Sequence, residues 1–345
     1  MVSVRRNTSG TERMWSESRL RKRLVRGIVA AVTLTGVWVA LPGMHGPGSD
    51  PPAAEGYWQT LSTGSWSKLP SDADCAAKVH RSKWEPRPGN KVPNETMPSE
   101  QAVHLSLAAR PHDPRAEAYD PQWDKWLLPR VTGHHTGTTD ENIQWAACKW
   151  GLADNLVRAV ANAESTWYQK DLYPNGACVE KRGCGDLFPK ATPASKEFCN
   201  GLKNHGYDYQ RDYGTDRCPK TFSIIGVMSY QDPAWGLVPS NQNGTFPFNR
   251  DSTAFALDYY GAFMRGCLEG WAWWLSGRGA AATPAGPQRL DGCTGAWFAG
   301  AWRTKPALEY VATVHKFMAE RPWLDRSWAS PSAFCSWLRH CPGES

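Results

Sequence analysis

The sequence predicts a mainly α-helical fold with a loop insertion that carries disulfides, preceded by an irregular segment rich in tryptophan and proline. Two observations lead to this prediction. After residue 130, several segments repeat apolar residues at helical spacing behind capping signals. The chain also has ten cysteines, all of which follow an N-terminal apolar segment, as is typical of disulfide-bonded exported proteins. With 345 residues, it is long enough to bury a sizeable core in one or two domains.

Residues 1–41 predict an export signal or a signal anchor. Residues 1–26 carry eight basic side chains against two carboxylates, which accounts for the whole formal net charge of +6. The apolar run 27–41 follows, so that the basic end stays in the cytoplasm and the rest of the chain is exported. This run is shorter than the roughly 20 residues of a relaxed membrane span, yet no small-x-small cleavage site follows it. We therefore expect an extracytoplasmic protein that is either secreted or anchored in the membrane through this segment. The exported part is formally neutral, which argues against nucleic acid as a partner.

The next two segments have little helical periodicity. Residues 42–56 are rich in glycine and proline and predict a linker. Residues 57–130 predict an irregular module that is punctuated by prolines and by five tryptophans, Trp58, Trp66, Trp84, Trp123 and Trp126. We expect these tryptophans to anchor the module onto a neighbouring domain, and stacking on sugars is the alternative.

The cysteine spacings favour disulfides over a metal site, because no CxxC pair occurs and the intervals are irregular. Sequence leaves the connectivity open, although Cys178 with Cys184 and Cys335 with Cys341 are close pairs that are easy to bridge. The adjacent His134 and His135 lie in a loop rich in glycine and threonine, where solvated side chains are expected rather than ligands. No metal and no cofactor are expected.

Helical signals begin near residue 138. Thr138 and Glu141 have the spacing of a capping box, and the helix that follows is expected to stop at Gly151. A second helix is predicted from Asp154 to Glu164. Residues 173–219 contain four cysteines and many glycines and prolines, which indicates a disulfide-held insertion.

Two more helices are predicted after the insertion. The chain returns to apolar residues at 222–230, and a capping segment at 251–253 begins a helix with an apolar stripe, Phe255, Tyr259, Ala262, Phe263 and Gly266. The last helix is expected to begin near Pro306 and to carry Tyr310 on its apolar face.

Glu164 is the first candidate for chemistry. Val157, Val160 and Ala161 share one face of the second helix, and Glu164 is the next member of that stripe. A carboxyl in apolar surroundings tends to a raised pKa, which is the property that a general acid needs. The alternative is that the helix ends near Ala163 and Glu164 points into solvent.

Four segments in order carry a resemblance to a known family: Glu164-Ser165, Gly226-Val227-Met228, Ala296-Trp297-Phe298-Ala299-Gly300 and Glu309-Tyr310-Val311. This series resembles the E-S, G-L-M-Q, A-Y-N-A-G and Y-V motifs of the soluble lytic transglycosylase domain, within the lysozyme-like superfamily. It is most similar to secreted actinobacterial members. The resemblance covers residues 131–325 and leaves the module 57–130 and the Cys-containing tail 326–345 outside.

The resemblance implies cleavage of the β-1,4 bond between N-acetylmuramic acid and N-acetylglucosamine in peptidoglycan strands, which would be the partner of this chain. In the implied mechanism Glu164 protonates the glycosidic oxygen, the 2-acetamido group shares the developing charge, and Glu164 then accepts the proton of the 6-hydroxyl. The product is a 1,6-anhydro sugar. One carboxyl suffices, so a second acid is not required; Asp171, Asp186 and Asp258 are the acids to consider if one exists.

The resemblance also implies roles for neighbours of the acid. Ser165 would hydrogen-bond near the sugar, Gly226 would allow close approach of the backbone, and Met228 and Trp297 would line the cleft. Tyr310 would position the acid. Two positions depart from the motifs: Ser229 replaces a glutamine, for which Gln231 is the candidate substitute, and Phe298 replaces an asparagine. Ser229 and Gln231 are both kept as candidate substrate-binding residues.

Three functions therefore stay open. The first is a peptidoglycan-cleaving enzyme, with a lysozyme-type hydrolase as its variant if water replaces the 6-hydroxyl. The second is a catalytically silent module of the same fold that binds peptidoglycan or acts as a cell-wall scaffold. The third is a disulfide-bonded surface protein that binds another protein through its tryptophans. Neutralisation of Glu164 by a nearby cation, Arg158 or Lys170, would favour a structural role for the acid, whereas a buried, unpaired carboxyl in a cleft would favour chemistry.

Overall fold

The computed structural model describes residues 51–109, 122–170, 183, 221–229, 244–272, 287–301 and 303–329. Helices account for 62% of these residues, which confirms the prediction of a mainly α-helical protein. The predicted signal segment 1–41, most of the insertion 173–219 and the end of the tail lie outside the described residues.

The described chain forms nine α-helices and one two-stranded antiparallel hairpin. In chain order these are α1 Asp72–Lys78, α2 Lys91–Glu95, α3 Glu100–Ala108, α4 Thr139–Trp150, α5 Asp154–Ser165, β1 Thr221–Phe222, β2 Val227–Met228, α6 Phe248–Asp251, α7 Thr253–Glu269, α8 Pro287–Ala299 and α9 Lys305–Glu320. Short 3-10 and π turns occur at Trp66–Lys68, Pro88–Asn90, Trp123–Leu127, Leu128–Arg130, Pro322–Leu324 and Arg326–Ala329.

Capping signals in the sequence give the helix ends correctly. Thr138 and Glu141 form a complete capping box at the start of α4, and Gly151 closes it with a left-handed φ of 58°. The hydroxyl of Ser252 accepts a hydrogen bond from the Phe255 amide at the start of α7. Each capping signal involves only a few neighbouring residues, so the helix end that it marks can be predicted without knowledge of the tertiary structure.

Helix α7 lies at the centre of the bundle, with α4 and α8 packed against it, while α9 packs against α8 and α5. The stripe predicted for α7 was too narrow, because residues on almost every side of the helix are buried, including Leu257 and Tyr260. A stripe marks one contact face, whereas a central helix has several.

Residues 57–130 belong to the same compact unit as the helical bundle, which spans residues 46–345. The segment contains three helices that the sequence did not predict. Several of its tryptophans act as anchors, as expected: Trp66 contacts Trp271 and Trp84 contacts Trp167. Trp126 is 40% exposed and is the exception.

A buried ion cluster fastens this segment to the bundle. Lys149 of α4 is fully buried and pairs with Asp72 of α1 at 2.7 Å and with Asp258 of α7 at 2.8 Å. The second oxygen of Asp258 accepts a hydrogen bond from the Trp150 indole at 2.7 Å. Removing one member of such a cluster leaves a buried charge without compensation, so these helices are held in one arrangement.

Within the described residues, two disulfides join cysteines that are far apart in sequence. Cys75–Cys148 links α1 to α4, and Cys267–Cys293 links α7 to α8. The close pairs considered from the sequence, Cys178 with Cys184 and Cys335 with Cys341, lie outside the described residues.

The expectation that His135 is solvated was wrong. Its ring is 4% exposed and stacks on Trp145 at 5.3 Å, while Nδ1 contacts the side-chain oxygen of Asn142. Burial lowers the pKa of His135. Within the described ranges, no helix is long and apolar enough to cross a membrane.

Candidate active site

Glu164 lies in the last turn of α5, which ends one residue later at Ser165. The prediction that the helix extends to this acid is therefore confirmed. Val157, Val160 and Ala161 are almost completely buried on the same face, and Glu164 itself is half-buried. The carboxyl is thus carried to the edge of the core by a helix whose preceding turns are fixed by packing.

The turn between β1 and β2 brings Gly226 against the Glu164 carboxylate. Gly226 has a φ of +71°, which favours glycine, and a Cβ at this position would lie only 2.6 Å from Oε2 of Glu164. No larger residue fits unless the carboxylate moves. In the described structure, the nearest group to this glycine is the acid itself.

Two hydrogen bonds hold the hairpin against the end of α5. The hydroxyl of Ser165 donates to the Ile224 carbonyl at 2.7 Å, and the Ile224 amide donates to the side-chain oxygen of Gln169 at 3.0 Å. Gln169 is fully buried and also donates to the Asn249 carbonyl at 2.7 Å, at the start of α6. The position of Gly226 is therefore set from both sides of the acid.

Tyr310 of α9 contacts the acid directly. Its hydroxyl donates to Oε1 of Glu164 at 2.5 Å, across 146 residues of sequence. The phenol ring is 6% exposed and stacks on Phe298 of α8, with centroids 4.6 Å apart and an angle of 5° between the planes. Phe298, which departs from the family motif, is thus the residue that supports Tyr310.

Trp297 clamps the hairpin turn from the side of α8. Its indole N–H donates to the Ile225 carbonyl at 3.0 Å, next to Gly226. Its ring packs edge-on against Tyr260 and Phe263 of α7, each at 5.0 Å between centroids. Trp297 therefore fixes the turn that borders the carboxylate.

Tyr260 is a neighbour of the site that the sequence did not indicate. It is fully buried, and its pKa is raised mainly by burial and further by the negative charge of Glu164. The sequence places Tyr260 beside the predicted stripe of α7 but does not indicate that it lies near Glu164. This proximity depends on how the helices that carry the two residues pack in the tertiary structure.

Both serines assigned to substrate contact are buried instead. Ser165 is 2% exposed, and its hydroxyl donates to the Ile224 carbonyl. Ser229 is 0% exposed, and its hydroxyl accepts a hydrogen bond from the side-chain amide of Asn249 at 2.7 Å. In these positions they support the hairpin and do not face a ligand. Met228 is 36% exposed on β2, as a residue lining a binding surface would be, and Gln231 lies outside the described residues.

Two of the charged neighbours considered from the sequence, Arg158 and Asp258, have other partners. Arg158 is fully buried and pairs with Asp140 at 2.7 Å and with Asp154 at 2.6 Å, so its guanidinium is committed away from Glu164. Asp258 belongs to the buried cluster with Lys149, which makes it a structural residue and not a second acid. Asp171 and Asp186 lie outside the described residues.

The site as described contains a half-buried carboxyl with one oxygen bound to a tyrosine hydroxyl and the other against a glycine backbone. Such an arrangement suits proton transfer by a single acid that is held in one orientation. Among the described residues, no group of three or more His, Cys, Asp or Glu side chains has the arrangement of a metal site. No family model, curated protein or solved structure matches this chain.

Proposed function

We propose that this protein is an extracytoplasmic enzyme of lysozyme-like fold that cleaves the β-1,4 bond between N-acetylmuramic acid and N-acetylglucosamine in peptidoglycan, with Glu164 as the catalytic acid. The observation that carries the proposal is the convergence of two other motif residues, Tyr310 and Gly226, on the carboxyl of Glu164. Tyr310 donates to Oε1, and Gly226 lies against Oε2. Residues of unrelated structural roles would have no reason to meet at a single acid.

The proposed reaction uses Glu164 twice. It first gives a proton to the glycosidic oxygen while the 2-acetamido group of the substrate stabilises the positive charge on the ring. Glu164 then accepts the proton of the 6-hydroxyl as this oxygen closes on the anomeric carbon, and a 1,6-anhydro sugar results. Because Tyr310 donates to Oε1, the transferred proton is carried by Oε2, which faces the hairpin.

The hairpin provides the surface on which a sugar would lie. Gly226 presents backbone rather than a side chain, and Met228 is exposed next to it on β2. Trp297 fixes the hairpin turn through its hydrogen bond to the Ile225 carbonyl, and Phe298 supports Tyr310 by ring stacking. The proposed extracytoplasmic location agrees with the disulfides Cys75–Cys148 and Cys267–Cys293, because disulfides are typical of oxidising compartments.

A second candidate is a peptidoglycan-binding or scaffold module of the same fold that does not cut. Phe298 favours it, because this ring stacks on Tyr310 where the family motif has a polar asparagine. The protein-binding alternative is less well supported, since the side chains of Trp84, Trp123 and Trp167 are buried.

The experiment is to incubate the purified full-length protein with actinobacterial cell walls and to analyse released muropeptides by mass spectrometry. Anhydro ends indicate a lytic transglycosylase, and reducing ends indicate a hydrolase. Glu164→Gln keeps the shape of the side chain but removes the titrating proton, so release should stop. Glu320→Gln is the matched control, because Glu320 is an exposed residue at the end of α9. The proposal is contradicted if the folded wild-type protein releases no muropeptides. It is also contradicted if the Glu164→Gln variant releases as much as the wild type.

A further inference from the structure

Two successive residues with left-handed backbone follow the helix that carries Glu164. Thr166 has a φ of 54° and Trp167 a φ of 68°. Branched and bulky side chains rarely adopt this conformation, so the surroundings must hold it. The turn starts two residues after the acid, and its geometry determines how the end of α5 is directed.

The carbonyl groups of this turn are bound by two buried side chains from the segment 57–130. Nε of Arg87 donates to the Thr166 carbonyl at 2.9 Å, and the side-chain amide Nδ2 of Asn90 donates to the Trp167 carbonyl at 2.7 Å. The side-chain oxygen of Asn90 accepts from the Gln169 backbone amide at 2.8 Å. Arg87 is 1% and Asn90 0% exposed.

The C-terminal turn 326–329 completes this arrangement. The guanidinium of Arg87 lies 4.0 Å from the centre of the Trp328 ring and donates to the Trp328 carbonyl at 3.2 Å. The indole of Trp328 in turn donates to the side chain of Asn162 on α5 at 3.1 Å. The fully buried ring of Trp167 packs edge-on against Trp328, with centroids 5.1 Å apart.

The same turn is connected to the other side of the carboxylate. The backbone amide of Gln169 donates to the side-chain oxygen of Asn90. The side-chain oxygen of Gln169 accepts a hydrogen bond from the backbone amide of Ile224, in the hairpin that contains Gly226. Support from Asn90 therefore extends both to the helix end that carries the acid and to the turn that lies against it.

We propose that Arg87 and Asn90 are positioning residues for Glu164. They hold the left-handed turn after α5 and so fix the orientation of the acid, which gives residues outside the family resemblance a role in the reaction. This inference rests on the proposed function. A positioning residue acts on the transition state more than on substrate binding, so its loss lowers kcat while KM changes little.

The experiment compares Arg87→Lys with Arg265→Lys in the full-length protein. Arg265 is also buried, and it donates to the Leu61 and Ser62 carbonyls, so its substitution disturbs the same kind of contact away from the turn. We expect Arg87→Lys to lower kcat about tenfold with KM within about twofold, and Arg265→Lys to leave both within about twofold. Hydrogen exchange of residues 165–170 should rise in the first variant only.

Rescue gives a second readout that a merely structural role would not produce. Asparagine accepts left-handed backbone more readily than threonine does, so Thr166→Asn added to Arg87→Lys should recover at least half of the lost kcat. If Arg87→Lys does not fold, Trp328→Phe is the milder variant, since it keeps a ring under Arg87 but loses the bond to Asn162. It should lower kcat about threefold.

Three outcomes overturn the inference. In the first, kcat falls equally in the two arginine variants. In the second, exchange at residues 165–170 is unchanged in Arg87→Lys or, where that variant does not fold, in Trp328→Phe. In the third, Thr166→Asn gives no recovery. If the wild-type protein releases no muropeptides, the proposed function fails instead, and the exchange measurement still decides whether Arg87 holds the turn.

Discussion

Replacing Gly226 by alanine places a methyl group 2.6 Å from Oε2 of Glu164. The oxygen must move by at least about 0.4 Å to reach the shortest separation found between such atoms, and it is the far end of a flexible side chain, so the movement itself costs little stability. The movement disturbs the 2.5 Å hydrogen bond from Tyr310 and the direction of the acid. We expect muropeptide release to fall by about 10- to 100-fold.

Stability should change for a separate reason. Alanine at a φ of +71° costs about 1 kcal/mol, which lowers Tm by about 1–2 °C for a chain of this size. Gly64→Ala is the matched control, because Gly64 has a φ of +88° and a Cβ there meets nothing within 4 Å. Thermal unfolding should show similar losses for both variants, whereas only Gly226→Ala should lose activity. Equal activity in the two variants would refute the argument that the methyl group acts through Glu164.

Other consequences can be measured in the same preparations. Tyr310→Phe keeps the ring stack but removes the hydrogen bond to Glu164; we expect release to fall by about tenfold or more and stability by about 1 kcal/mol, and full activity would contradict the positioning role of Tyr310. Replacing Cys267 and Cys293 by serine together opens a 26-residue separation, and denaturant unfolding should show a loss of about 3 kcal/mol, so that an unchanged midpoint would contradict the pairing. His135 has a lowered pKa in the folded state, so protons bind the unfolded state more tightly; its contribution to stability is complete above the unfolded pKa of about 6.5 and is lost as the pH falls below it. Unfolding at pH 7 and pH 5 should show a smaller decrease for His135→Gln than for the wild type, and an equal decrease would exclude this histidine as a cause.

Local signals in the sequence were sufficient for α4, α5, α7 and α9, whereas α6 and α8 were not predicted. Thr138, Gly151 and Ser252 act on neighbouring backbone groups, so the helix ends that they predict are found in the structure. The helix from Asp154 to the catalytic candidate follows for the same reason. Elements α1 to α3 were not predicted, because short helices between prolines depend on packing against the bundle more than on their own periodicity.

The site was only partly accessible from sequence. Ordered motifs indicated Glu164, Gly226 and Tyr310, and these three residues meet in the structure. Whether a hydroxyl points to a ligand or into the core depends on tertiary packing, which is why Ser165 and Ser229 were assigned to the wrong side. For the same reason, the contacts of Arg87 and Asn90 with the turn after α5 could not be predicted from the sequence. Arg87 and Thr166, for example, are 79 residues apart.

The Cys75–Cys148 disulfide also determines how the protein responds to proteolysis. Any single cut between Asn90 and Cys148 leaves both pieces covalently joined, because the piece that bears Arg87 and Asn90 stays attached through the disulfide instead of the backbone. A nicked molecule would migrate as one species without reductant and as two with it. Under oxidising conditions, a cut in this part of the chain therefore does not release the segment whose contacts hold the end of α5.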